Sequence, residues 1–89
     1  MTKKQKAARV LELKAILLEH GFTIDSYGNY KLNYLNDVFR FKFKAINIRF
    51  ERKVNKPGSI WFCIFSRPIV KVLPEKLNEY LNRRTKHVI

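Results

Sequence analysis

The chain is poor in the residues that most site chemistries need. Cysteine occurs once in 89 residues, as Cys63, which excludes an internal disulfide and any multi-cysteine metal site. Its place in the run Ile60-Trp61-Phe62-Cys63-Ile64-Phe65 reads as a buried free thiol. Histidine occurs twice; neither His20, at a helix end, nor His87 has a partner at metal-ligand spacing. The three glycines, Gly21, Gly28 and Gly58, are isolated and build no phosphate-cradling loop. Only seven acids are present, and they are scattered, without the clustered carboxylates of a magnesium-dependent nuclease. These absences argue against an enzyme and imply no cofactor and no metal. No apolar run has the length of a membrane span, and Glu12, Lys14 and Glu19 break up the apolar positions of the first stretch. A chain without span or secretory signal, kept in the cytoplasm, is therefore expected.

Positive charge is what the chain has in excess. Nineteen Lys and Arg against seven Asp and Glu give a formal charge of +12. Self-repulsion of that size opposes compaction, so it points to a polyanionic partner. Nucleic acid, DNA or RNA, comes first; an acidic protein surface docked by a small basic inhibitor or adaptor is the alternative, and an anionic membrane ranks third. A hydrophobic content of 46% with 13% aromatics predicts one folded domain over 1–89.

The longest regular pattern runs from Val38 to Val54. Phe39, Phe41 and Phe43 alternate with Arg40, Lys42 and Lys44; Ile46, Ile48 and Phe50 alternate with Asn47, Arg49 and Glu51. A two-residue period with one apolar and one charged face predicts extended strand. The apolar parity shifts between Phe43 and Ile46. A two-residue hairpin loop at Lys44-Ala45, pairing Phe43 with Ile46, absorbs the shift, and so does a bulge in a continuous strand. The bulge is favoured because neither Lys nor Ala suits positive φ.

Before this stretch, Thr2 to Gln5 has capping-box spacing, and Ala7, Val10, Leu13 and Leu17, widened by Leu11, Ile16 and Leu18, predict a helix to His20 with Gly21 as its stop. Phe22 to Asp25 and Tyr30 to Tyr34 read as short strands, with a turn at Asn36-Asp37 after them. Ile60 to Phe65 reads as a further strand and Ile69 to Leu73 as a short edge segment. Pro74 opens a second helix bearing Leu77, Tyr80 and Leu81, with Arg83, Arg84 and Lys86 suiting its C-terminal dipole. The expected fold is α+β: an N-terminal helix, an antiparallel sheet of four to five strands and a C-terminal helix, both helices on the phenylalanine face.

The candidate site follows from the other face. Arg40, Lys42, Lys44, Arg49, Arg52, Lys53 and Lys56 are expected to meet phosphates, with Lys3, Lys4, Lys6 and Arg9 at the first helix as a further basic group. If Ile60, Phe62 and Ile64 enter the core, Trp61 and Phe65 join the basic face as stacking rings; burial of Trp61 under a helix is the favoured expectation, because Trp is highly buried on average. The stretch Ala15-Ile16-Leu17-Leu18-Glu19-His20-Gly21-Phe22, with a turn glycine at Gly28, resembles the start of HicA-type toxins over about a third of the chain. Asn29 and Tyr30 stand where that family has its catalytic histidine, so the resemblance implies fold and not ribonuclease activity. The element order also resembles the double-stranded RNA-binding fold, with Pro74-Glu75-Lys76 in place of that family's lysine-rich helix start.

Overall fold

The chain enters its first helix through the reciprocal cap that Thr2 and Gln5 encode. The Thr2 hydroxyl accepts from the Gln5 N–H at 3.2 Å, and the Gln5 side-chain carbonyl accepts from the Thr2 N–H at 2.9 Å. This opens α1, Lys3–Glu19, in a computed structural model that describes residues 2–86; His87 lies outside the described residues. At the far end Gly21 sits at φ 88. Its N–H reaches the Leu18 carbonyl and the Phe22 N–H reaches the Leu17 carbonyl, both at 3.1 Å, the pairing that reverses a chain at a left-handed C′ residue. The reversal delivers Phe22 into the core.

Five strands follow: β1 Thr23–Ile24, β2 Tyr30–Tyr34, β3 Asp37–Phe43, β4 Asn47–Val54 and β5 Phe62–Pro68. They pair antiparallel in sequence order. A 3₁₀ turn, Ile69–Lys71, leads into α2, Pro74–Lys86. The fold is thus α+β, in the order α-β-β-β-β-β-α. Leu13 and Leu17 of α1 and Leu77 and Leu81 of α2 join Tyr30, Phe41, Ile48 and Phe50 in one core, so both helices lie on the phenylalanine face. Among the described residues, no helix covers the opposite face of the sheet.

Several local expectations are corrected. The Val38 to Val54 stretch is a hairpin and not a bulged strand, and its loop is Ala45-Ile46, closed by the Lys44 N–H on the Asn47 carbonyl at 2.7 Å. Phe43 therefore pairs with Ile48 and Phe41 with Phe50, two residues away from the expected register. The slip of two keeps the faces. It stacks Phe41 on Phe50 at 4.2 Å and sets Glu51 opposite Arg40, whereas the expected register would have opposed Arg40 to Arg49. Neither loop residue has positive φ, so the objection from loop chemistry did not apply. Ile46, at the tip, is exposed and not in the core.

The turn before β3 is Leu35-Asn36, with Asp37 already paired to Tyr34. In β5 a register shift sets Phe65 opposite Phe50 but Cys63 opposite Glu51, which leaves Ile64 as the extra residue of a bulge. Phe65 consequently packs in the core instead of on the basic face. Ile60, Phe62 and Ile64 are exposed instead of buried, and Cys63 is exposed as well. On α1, Ala7, Leu11 and Leu18 face solvent, because the buried stripe is the narrower one of Leu13 and Leu17. Ile69 starts a 3₁₀ turn and not an edge strand.

Candidate nucleic-acid interface on the open sheet face

The register of the sheet decides which cations meet. Lys31 of β2 pairs with Arg40 of β3, Arg40 with Glu51 of β4, and Lys42 with Arg49. Lys44 and Lys53 share their side of the hairpin by alternation. The open face therefore gathers Lys31, Arg40, Lys42, Lys44, Arg49 and Lys53, with Glu51 among them.

Glu51 is the organising acid. It is 5% exposed and accepts from Arg40 Nε at 2.5 Å and Arg49 Nε at 2.7 Å. Burial pushes its carboxyl up, but the hydrogen bonds from Arg40 and Arg49 outweigh that effect and hold it below the ordinary carboxylate range. The same bond to Glu51 raises the Arg49 guanidinium above its ordinary value. One carboxylate thus fixes two arginines side by side, at a spacing that like charges would not keep unaided.

Trp61 lies just before β5 and is half-buried, beneath cations of the open face and not beneath a helix. The Arg40 guanidinium stands 3.8 Å from the ring centroid, Lys53 Nζ 5.0 Å and Lys31 Nζ 6.0 Å, within cation–π range. The bulge at Ile64 places the ring there, since unbroken alternation from Trp61 to Phe65 would put both on one face. Lys31 also forms an ion pair with Asp25 at 3.3 Å. Burial pushes the Asp25 carboxyl up, and the N–H groups of Asn29 and Tyr27, with Lys31, pull it below its usual value.

Other expected contacts lie elsewhere. Arg52 is on the helix side, 3.7 Å from Asp37. Lys56 is exposed in the loop after β4. Lys3 and Lys4 are exposed on the first turn of α1, whereas Lys6 donates to the Ala45 carbonyl. Arg9 donates to the carbonyls of Val70 at 3.3 Å and Val72 at 2.9 Å, tying α1 to the segment before α2. Arg84 stacks near the rings of Phe39, Phe50 and Tyr80 at 5.3 to 5.5 Å. Lys31 was not among the expected contacts, because only the pairing of β2 with β3 brings it beside Arg40.

Among the described residues, no group of three His, Cys, Asp or Glu converges as a metal site would require, and no helix is long and apolar enough to cross a membrane. Comparison with protein-family models, curated proteins and solved structures returns no match.

Proposed function

We propose that the protein is a non-catalytic nucleic-acid-binding module that grips the phosphate backbone with the open face of its sheet. The observation that carries this reading is the gathering of Lys31, Arg40, Lys42, Lys44, Arg49 and Lys53 on a face that no helix covers among the described residues, where the buried acid is already bonded to two arginines. Cations held side by side on a sheet can neutralise several phosphates at once, whatever the base sequence. Trp61 already has Arg40 against it, which favours phosphate contacts over base stacking as the main source of affinity. Binding of this kind is tolerant of sequence and sensitive to salt.

The test uses a labelled oligonucleotide, single-stranded and duplex, titrated at several salt concentrations from about 50 mM upward. Lys42, Lys44 and Lys53 lie outside the ion pairs of the face, so changing all three to Gln lowers melting only slightly, mainly through the lost Lys53 contact with Trp61. The same change lowers the slope of log affinity against log salt by about three, roughly one for each lost phosphate contact. No band shift at about 50 mM salt removes the reading, and a folded triple variant with unchanged affinity moves the site away from this face.

A further inference from the structure

On the helix side, β5 and α2 enclose a groove of about 480 Å³. Its floor is apolar, with Ile64 and Phe65 from the strand, Leu73 before the helix and Tyr80 on it. Its rim carries Arg67, Lys71, Lys76 and Arg83, and no acid lines it among the described residues. Glu79 approaches Lys76 at 3.7 Å from outside, with both side chains largely in water. One wall of the groove is the free edge of the sheet. The sheet ends in two edges of unequal length: β1 has two residues and β5 has seven. All of β5 except Phe65 is exposed, Phe62 at 61% and Ile64 at 37%.

Each feature sets a requirement on an occupant. The unpaired N–H and C=O groups of an edge strand are satisfied by another extended polypeptide. An apolar floor calls for aliphatic side chains on the same face of that strand, and four cations call for carboxylates flanking them. Nucleic acid supplies negative charge but neither a peptide ladder nor aliphatic side chains. A second copy of this chain would bring the same four cations against their equivalents, on a protein already at +12. We propose that this groove binds an extended acidic segment of another protein as a sixth strand, with apolar residues on Ile64, Leu73 and Tyr80 and carboxylates on the cationic rim. It lies away from the open face and is independent of nucleic-acid binding.

The probe is a capped heptapeptide, Glu-Thr-Val-Thr-Val-Thr-Glu, which as a strand puts two Val and two Glu on one side. It is titrated into the isotopically labelled full chain and followed by amide chemical shifts. Saturable shifts over 62–68 and 76–83 are expected, with none from the peptide carrying Lys for Glu, or Pro for Val. Lys76→Glu with Arg83→Glu, both at exposed positions, weakens the peptide by about tenfold while leaving oligonucleotide affinity within about twofold. The proposal falls if no saturable shift occurs up to about millimolar peptide, if the shifts fall on the open face, or if the charge reversal leaves peptide affinity unchanged. It falls equally if an oligonucleotide occupies the groove, or if the 62–68 amides change on dilution without peptide, which would make a second copy the occupant.

Discussion

Arg40 works in two directions at once. Its guanidinium lies against Trp61 and its Nε is bonded to a carboxylate that water hardly reaches. Removing it leaves Glu51 with Arg49 alone, so Arg40→Ala should cost about 2 kcal/mol near neutral pH. The dependence on acid follows from the depressed Glu51 carboxyl. The unfolded chain takes up a proton near the ordinary value of about 4.3, and the folded chain takes it up only at lower pH. Glu51 thus contributes stability that is present above that range and is lost as pH falls through the folded value. Melting temperatures from about pH 6 to about pH 3 should fall more steeply in the native chain than in Glu51→Gln. The deficit of Arg40→Ala should shrink over the same interval, because a protonated Glu51 no longer needs a cation. Equal slopes for the native chain and Glu51→Gln would show that Glu51 is not the acid that governs this range.

The hairpin of β3 and β4 was legible as two faces before it was legible as a hairpin. Alternating Phe and Arg or Lys fixes which side each residue takes, and a register slip of two residues leaves those sides unchanged. What alternation does not contain is the register itself. Here the pairing of Phe41 with Phe50, and of Arg40 with Glu51, is contact information between residues nine and eleven apart. The cap at Thr2 and the stop at Gly21 are local signals, and both were read directly from the sequence. The bulge in β5 has no such signal, since the run from Ile60 to Phe65 is apolar on both sides and lacks glycine. For that reason the side taken by Trp61 stayed open while that of Arg40 did not. Phe41 is fully buried against Phe50 and Phe22. Phe41→Ala should cost about 3–5 kcal/mol, a large share of the stability of a domain this size, seen as a lowered urea midpoint with an unchanged slope. A change much below 1 kcal/mol would be incompatible with this packing.

At the scale of the whole molecule, charge and topology act together. Both helices cover one side of the sheet, which leaves the other to the cations, and the sequential strand order leaves β5 as the long edge. The excess of cations was legible from the sequence alone, whereas the groove between β5 and α2 was not, because it depends on a helix and a strand edge meeting in space. The extra residue in β5 also bears on inheritance. Phe65 and Cys63 occupy consecutive positions against Phe50 and Glu51, so an in-frame loss of the Ile64 codon would leave every remaining side chain of the strand on its present side. The shortened chain should fold, and its straightened edge should be more prone to self-association, as flat edges are. Among single-residue deletions within β5, loss of Ile64 is therefore the one a folded chain should best survive.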